Sequence, residues 1–522
     1  MIKSNSIFKN LFVLDLANNH FGDLKHAKKI ITEFAKVQKK HKIKATIKFQ
    51  FRNLDTYIHK HEINNEENKY VERFLSTKLS DDSYLKLLNF AKNKGFLTSC
   101  TPFDEISVEK IKKYKFDILK IASVSSLDWS LLEKAAKTKL PMIVSTGGRT
   151  IEEIDKIVSF LEHQKCNFAL MHCISIYPSE NYQMQLNTIG ELKKRYSPIT
   201  IGWSTHETSE NLLPSTIAYS IGARMFEKHI GINTKRYRLN KYSTVAKDFD
   251  EYLTNLNEVK ISIGNEYKTV SKKETASLKL LERGVYAKIN LKKGDILNDK
   301  NIYFAFPSNK NQISSTNFSL KTNQYVVREN IKIDEMIRNK SLEKKFSKDL
   351  SLVTEYLHMA KAMLKSNKLN LGNKFDLEIS HHYGLAKFKK FGCFLFNCIN
   401  REYAKKIIVL LPNQRHPLHR HIKKEETFQI LNGKLYSYLD GKLKILKEGD
   451  TILVKPKVWH KFHTDALGCI FEEVSTTHYN DDSYYKDKKI QKSERSQRKS
   501  YIKDWSHSHS RQKFYDGLKD KS

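Results

Sequence analysis

The chain has 522 residues, with 92 Lys+Arg against 58 Asp+Glu and a formal net charge of +34. This length predicts about two to four domains, and the 39% of hydrophobic residues excludes a largely disordered chain. No run approaches the roughly 20 apolar residues of a membrane span. Six cysteines without a CxxC pair indicate a reducing, cytoplasmic compartment. The positive charge is spread along the chain without a nucleic-acid-binding motif, so it favours anionic small substrates over nucleic acid.

The first half of the chain alternates strand-like runs with helical stretches, from residue 11 to about 265. The predicted strands are Leu11–Ala17, Ile43–Gln50, Phe96–Pro102, Ile118–Ser123, Met142–Gly147, Phe168–Cys173, Ile199–Thr205 and Arg224–Ile230. Eight strands with helices between them over about 255 residues predict an α/β fold, a (β/α)8 TIM barrel over residues 1–265. A doubly wound open sheet is the alternative, but no GxGxxG motif follows the first strand.

The remaining chain changes pattern three times. Residues 273–345 predict a small β-rich domain with short strands around a Lys-Gly-Asp turn, and 346–375 predict a helical linker. Residues 376–482 carry short strands with turn signals, which is typical of a small all-β barrel or jelly roll. The tail, 483–522, is rich in Lys, Ser and Gln and is predicted to be disordered. We interpret His507 and His509 in this tail as solvated rather than as metal ligands.

All eight predicted barrel strands end in polar side chains, and the active sites of such barrels lie at the C-terminal ends of the strands. Lys48 and Lys120 lie inside predicted strands, and an inward ammonium group needs an anionic partner. Together with nearby hydroxyls they could bind a phosphate and a carboxylate. The alternative is that both lysines extend outward along helix contacts.

Two histidines, His206 and His229, end neighbouring predicted strands. With Glu227 and Asp15 they suit an open divalent-metal site that leaves room for water and substrate. The alternative is that each histidine is held only by hydrogen bonds within the protein.

A family resemblance follows from eight segments taken in order. LDLANNHFGD, IKFQ, FLTSCTPFDE, LKIAS, VSTGG, MHCISIYP, IGWSTH and FEKH resemble the strand-end motifs of the sialic acid (N-acetylneuraminate) synthase family. LLERGVYAKINLKKGDIL is similar to the antifreeze-like (SAF) domain that follows the barrel in these enzymes. The resemblance implies a homodimeric transferase of surface-polysaccharide synthesis. It would condense phosphoenolpyruvate with an N-acylhexosamine-type aldose, by C–O cleavage, to a nonulosonic acid plus phosphate.

The resemblance also implies roles for individual residues. Phosphoenolpyruvate would be held by Lys48, Thr101, Lys120, Ser123, Ser145, Ser175 and Ser204. His206 and His229 would bind Mn or Mg, and Gln50 and Tyr177 would contact the acceptor sugar. Asp15 stands where the family has Glu, a carboxylate that handles the proton of water, and Glu227 completes the catalytic set.

The acceptor side departs from the family pattern. Ser125 replaces a Glu, and Asn240, which we keep among the substrate-binding candidates, replaces an Asp. FPSNKNQISS lacks the PGxG-type segment and the Arg that reaches the partner's site in this family. The acceptor sugar therefore stays open. A non-catalytic sugar-binding protein, or a basic scaffold for nucleic acid or glycans, is the alternative function.

The second half carries a further resemblance, to cupins. HPLHRHIKKEETFQILNGKL and GDTILVKPKVWHKFH resemble the two cupin motifs and supply His419, His421, Glu426 and His460 for a second divalent metal, Mn, Fe, Ni or Zn. Glu425 is the alternative carboxylate, and a degenerate cupin whose histidines only pack is the alternative site. Two roles remain open for this domain: a sugar isomerase or epimerase, and a module that binds sugar or stabilises the oligomer.

Overall fold

A computed structural model describes residues 7–63, 67–264, 268–319, 323–346, 350–371 and 375–502. The chain divides into two compact units, Met1–Thr269 and Val270–Ser522. Within the described residues, every helix is too short or too polar to cross a membrane.

The first unit is a closed barrel of eight parallel strands in sequential order, in which β8 pairs with β1. This closure confirms the predicted fold and excludes the open doubly wound sheet. Each strand ends within two residues of its prediction, because its apolar run is flanked by turn-forming or helix-capping residues. Strands β1 to β8 are Leu11–Asp15, Lys44–Phe51, Leu97–Pro102, Ile118–Ile121, Met142–Ser145, Phe168–Cys173, Ile201–Ser204 and Met225–His229.

Ten α-helices accompany these strands in the described part of the first unit, and most of them bury an apolar face in the core around the barrel. Several begin at a side-chain cap, as at Asp23 before α1 and at the Thr150–Glu153 capping box before α7, which satisfies the free amide groups of the first turn. Helices α1 to α10 are Leu24–His41, Leu54–Tyr57, Lys69–Ser76, Asp81–Asn93, Glu105–Lys113, Trp129–Lys137, Ile151–His163, Asn187–Arg195, Leu213–Ile221 and Ala246–Ile263.

The strand register brings the predicted site residues to one level of the barrel. Asp15 at the end of β1 lies opposite Lys48 on β2 and His229 on β8. On the adjoining pair of strands, Ser204 of β7 lies opposite Glu227 of β8. Because side chains two apart on a strand share a face, Lys48 with Gln50, and Glu227 with His229, point to the same side.

The second unit begins with a β-rich segment, in the region where the sequence predicts a small domain over 273–345. Two antiparallel pairs, β9 with β10 and β11 with β12, surround a core that includes Val285, Leu291 and Ile337. The elements are α11 (Lys272–Leu280), β9 (Gly284–Ala287), β10 (Ile302–Ala305), α12 (Ser315–Phe318), β11 (Asn323–Val327) and β12 (Leu342–Phe346).

The rest of the unit is a β domain of ten strands in one connected sheet. Its strands are β13 (Asp376–Ser380), β14 (Cys393–Asn400), β15 (Tyr403–Leu410), β16 (Arg415–Arg420), β17 (Glu426–Leu439), β18 (Lys442–Lys447), β19 (Thr451–Val454), β20 (His460–Thr476), β21 (Tyr484–Tyr485) and β22 (Lys499–Ile502). The helical segment predicted as a linker contains α13 (Leu350–Ser366). Leu357, Ala360 and Leu364 of α13 are buried in the core of this domain, so the helix belongs to it.

The predicted disordered tail is ordered in its first part. Residues 484–502 form β21, α14 (Lys488–Lys492), α15 (Arg495–Arg498) and β22, and β22 pairs with β13. A buried ion pair between Lys499 and Glu378 joins these two strands, an interaction between distant residues that composition does not reveal. His507 and His509 lie outside the described residues.

Candidate functional site

A cavity of about 780 Å³ opens at the C-terminal ends of the barrel strands. Its lining includes all the predicted barrel residues but one: Asp15, Lys48, Gln50, Thr101, Lys120, Ser123, Ser145, Ser175, Tyr177, Ser204, His206, Glu227 and His229. Its size is within the range of pockets that hold small molecules.

Buried ion pairs form the floor of this cavity. Glu227 contacts both Lys48 and Lys120, and Lys48 Nζ lies 2.8 Å from Asp15 Oδ2. All four side chains are buried. Burial alone would raise the pKa of Glu227, but the ammonium groups of Lys120 and Lys48 hold it below its ordinary range. The lysines therefore point inward, and the outward alternative is wrong.

The two barrel histidines are neighbours in the cavity lining, with ring centroids 5.4 Å apart. His206 Nδ1 donates to the carbonyl of Ile174 at 2.8 Å, because a carbonyl can only accept. In a neutral imidazole this bond leaves Nε2 unprotonated with a free lone pair, which is the form that usually binds a metal. Burial, followed by the charge of His229, lowers the pKa of His206 to about 3.

The partner histidine lies beside a carboxylate. His229 Nε2 is 3.5 Å from Asp15 Oδ2, and burial lowers its pKa. Two neutral imidazoles and an adjacent carboxylate are a suitable ligand set for a divalent cation such as Mn. The residues present therefore fit the metal that the sequence predicts.

Hydroxyl groups line the side of the cavity next to Lys120. Ser123 Oγ accepts from the amide of Gly147 at 2.9 Å. Among the described residues, the buried Thr101 Oγ1 has no hydrogen-bond partner. A buried hydroxyl without a partner loses its hydration without compensation, so it is ready to donate to a bound anion.

The two residues that mark the departures on the acceptor side lie elsewhere. Asn240 is absent from the cavity lining within the described residues, although Tyr242 contributes to it. The Oδ1 atom of Asn240 is buried and has no partner in the described chain. Ser125 is buried at the end of a short 3-10 turn.

Sequence reasoning missed a group of cations and aromatic rings at the cavity mouth. Arg52, Lys69 and Arg73 line it together with Tyr57, Tyr70, Phe74 and Phe103. Arg52 continues the inward alternation of Lys48 and Gln50, so a period of two could have identified it. Lys69 and Arg73 lie four residues apart on α3, and no local pattern links that helix to the strand ends.

The β domain holds a second cluster, formed by His419, His421 and His460. One ligand atom of each lies within 4.8 Å of the others. The Nδ1 atoms of all three donate to backbone carbonyls, of Pro417, Asp482 and Val458 respectively. The three Nε2 atoms are therefore free to bind a metal.

Glu426 completes this cluster. Its Oε2 lies 3.3 Å from His460 Nε2, and its Oε1 lies 3.4 Å from His421 Nε2. Within the described chain neither His460 Nε2 nor Glu426 Oε2 has a hydrogen-bond partner. Lone pairs that face each other in this way favour a bound cation. Glu425, the alternative carboxylate, is exposed.

Buried lysines adjoin the same cluster and were not predicted. Lys424 contacts Glu426, and its Nζ is 3.0 Å from Glu473, whose carboxylate also contacts Lys406 at 3.2 Å. The adjoining cavity measures about 40 Å³. That is room for a metal ion and a water molecule rather than for a hexose.

Comparisons with known proteins agree with this architecture. The NeuB family profile matches residues 24–268, and the cupin domain profile matches residues 406–467. An uncharacterized protein of Methanocaldococcus jannaschii is 32% identical over 291 residues, which cover 55% of this chain and 82% of that protein. The human N-acetylneuraminate-9-phosphate synthase is 27% identical over 295 residues, covering 55% and 80% of the two chains. A crystal structure of spore coat polysaccharide biosynthesis protein E from Chromobacterium violaceum is 36% identical, with a TM-score of 0.61, covering 64% of this chain and 100% of that one.

The fold and the cavity define a (β/α)8-barrel protein, whose cavity is lined by lysine, arginine and histidine side chains, with an appended C-terminal cupin domain. The chain belongs to the NeuB family, which confirms the resemblance predicted from its strand-end motifs.

Proposed function

We propose that the barrel condenses phosphoenolpyruvate with an N-acylhexosamine-type aldose, giving a nonulosonic acid and phosphate. The observation that carries this proposal is that Lys48, Lys120, His206 and His229 line one cavity. Membership of the NeuB family supports it, as does the similarity to the human N-acetylneuraminate-9-phosphate synthase.

The lysine side of the cavity suits phosphoenolpyruvate. Lys48 and Lys120 would bind its phosphate and carboxylate, with hydrogen bonds from the hydroxyls of Thr101, Ser123, Ser145, Ser175 and Ser204. The unpartnered hydroxyl of Thr101 supports this assignment. Glu227 holds the two ammonium groups in place before the substrate binds.

The histidine side suits the aldehyde of the sugar. His206 and His229 would hold a divalent cation, which would supply Lewis-acid polarisation of the aldehyde oxygen. Gln50 and Tyr177 would orient the acceptor. Asp15 lies beside His229 and Lys48, where its carboxylate can take a proton from attacking water.

Phosphate release tests this proposal. The full chain with Mn and phosphoenolpyruvate is supplied with a panel of N-acylhexosamines, both free and 6-phosphorylated. We expect release that depends on one sugar and is lost in His206→Ala but kept in His163→Ala, a control on the exposed end of α7. A folded, Mn-loaded protein that releases no phosphate with any sugar would overturn the proposal.

For the C-terminal part of the chain we propose a domain assignment and a second metal. The segment 273–345 is proposed as the SAF domain. His419, His421, His460 and Glu426 are proposed to bind a divalent metal in the cupin, because their unpaired lone pairs converge.

The role of the cupin is tested separately from the barrel. A sugar isomerase or epimerase would interconvert hexosamines in an assay followed by NMR, and His460→Ala would abolish that activity without changing phosphate release by the barrel. A module that only binds would interconvert none of the sugars.

A further inference from the structure

Three cations at the mouth of the barrel cavity form no ion pair with any carboxylate that the structure describes. The ion pairs of this cavity join Lys48 and Lys120 to Asp15 and Glu227. Among the described residues, Arg52, Lys69 and Arg73 make no ion pair with a carboxylate. The inner charges therefore balance, and the outer part of the cavity carries a surplus of three positive charges.

Arg52 is held in a fixed position. Its guanidinium carbon lies 3.7 Å from the ring centroid of Phe103 and 4.1 Å from that of Phe74. Stacking on rings orients the planar group and leaves its edges for hydrogen bonds. One edge donates to Gln50 Oε1 at 3.2 Å. Within the described chain the buried Nε atom has no partner.

Gln50 connects this cationic group to the reaction centre. While it accepts from Arg52, its Nε2 atom donates to Asp15 Oδ2 at 3.2 Å. A sugar that contacts Gln50 next to Asp15 would therefore direct its far end towards Arg52, Arg73 and Lys69. A volume of about 780 Å³ accommodates phosphoenolpyruvate and a substituted hexose together.

We propose that the acceptor sugar carries an anionic group, a phosphate ester or a carboxylate, at the end remote from its aldehyde, and that Arg52, Arg73 and Lys69 bind this group. The inference rests on the proposed condensation and specifies its second substrate. A neutral sugar would leave a buried guanidinium nitrogen without a partner, which penalises its binding relative to an anionic sugar.

The test compares matched sugars. N-acetylmannosamine, its 6-phosphate and its 6-carboxylate (the uronate) are titrated calorimetrically into the Mn-loaded full chain. The same sugars are then assayed for phosphate release. We expect the wild-type protein to favour one of the two anionic sugars over the neutral one by at least about 30-fold, and the better of the two identifies the anion. Arg73→Gln should reduce this preference at least about tenfold and change the KM for phosphoenolpyruvate less than twofold.

Two further variants serve as controls for this comparison of sugar binding. Lys156→Gln removes one positive charge from an exposed position on α7 and should change neither quantity. Arg52→Lys keeps the charge but loses the planar stacking group, so it should weaken binding of the anionic sugar if the variant folds.

Two results would overturn the inference. One is equal binding of neutral and anionic sugars to the wild-type protein. The other is an Arg73→Gln effect confined to the KM for phosphoenolpyruvate, which would assign the outer cations to that substrate. A protein that prefers the anionic sugar in calorimetry but releases no phosphate would refute the condensation and keep the anion site.

Discussion

Replacing Glu227 with Gln tests the charge arrangement on which the proposed function depends. Among the described residues, Glu227 is the one carboxylate in ion-pair contact with Lys120, whereas Lys48 also contacts Asp15 at 2.8 Å. The variant therefore leaves a buried ammonium group without an anion and weakens the pairing of a second.

The expected loss of stability follows from this burial. Removing one partner of a buried ion pair typically costs about 3–5 kcal/mol. For a unit of this size each kcal/mol lowers Tm by about 2–4 °C, so the barrel transition should fall by roughly 6–20 °C. Phosphoenolpyruvate should restore part of this loss, because its anionic groups would replace the missing carboxylate.

The assay is thermal unfolding of the full chain with and without phosphoenolpyruvate. A ligand at 100 times its Kd stabilises by about 2.7 kcal/mol, and the variant should bind more tightly because both lysines have lost a competing anion. We therefore expect the Tm increase caused by phosphoenolpyruvate to be at least about twice as large in Glu227→Gln as in the wild type.

A matched control is a buried ion pair whose lysine lies on the same strand as Glu227. Glu207 is buried and accepts from Lys228 of β8 at 2.9 Å, and neither residue lines the cavity. Glu207→Gln should lose comparable stability and show the wild-type response to phosphoenolpyruvate. Equal responses in the two variants, or a loss below about 1 kcal/mol in Glu227→Gln, would refute the reasoning.

Three further predictions concern other parts of the two units. Asp15→Asn should slow phosphate release by about 10²–10⁴-fold while keeping the Tm increase with phosphoenolpyruvate, and undiminished release would exclude Asp15 as the base. His460→Ala should lose cupin-bound metal in elemental analysis, whereas His463→Ala, which removes a ring stacked on Tyr436, should retain it; metal retained by both variants would contradict the ligand set. Burial raises the pKa of Glu378, but Lys499 holds it at about 2 in the folded chain against 4.5 for the free group. This lowered pKa contributes about 3 kcal/mol to the free energy of unfolding above pH 4.5, and the contribution is lost as the pH falls towards 2. In urea unfolding, the difference in stability between the wild type and Glu378→Gln should therefore shrink as the pH is lowered. A difference that stays constant with pH would contradict this prediction.

Much of the barrel site could be predicted because strand geometry relates sequence to space simply. A side chain that follows an apolar run at a strand end must lie at the barrel mouth, so Asp15, Lys48 and His229 could be grouped before their register was known. In the cupin, Glu426 and the three histidines could be predicted from the resemblance of two segments to the cupin motifs.

The remaining features depend on contacts between segments that are distant in sequence. Lys69 and Arg73 reach the cavity from α3, and nothing in their local pattern distinguishes them from solvated helix residues. The pairing of β22 with β13, and of Lys499 with Glu378, spans more than a hundred residues. The tail was therefore predicted as disordered from composition, although its first part completes the sheet.

The two proposed metal sites contain the same set of charged groups but differ in the space available for an additional anion. Each joins histidines to two buried carboxylates and two buried lysines: Asp15 and Glu227 with Lys48 and Lys120 in the barrel, and Glu426 and Glu473 with Lys424 and Lys406 in the cupin. A divalent cation would therefore give either cluster a net charge of about +2, which is unfavourable in a buried site without a further anion. The barrel cavity has room for phosphoenolpyruvate to supply that anion, whereas the 40 Å³ beside the cupin cluster has room only for water or hydroxide. Metal and phosphoenolpyruvate should consequently raise each other's affinity for the barrel by the same factor. Calorimetric titration of Mn with and without phosphoenolpyruvate would measure this factor. A metal affinity that does not depend on phosphoenolpyruvate would show that the charges do not couple.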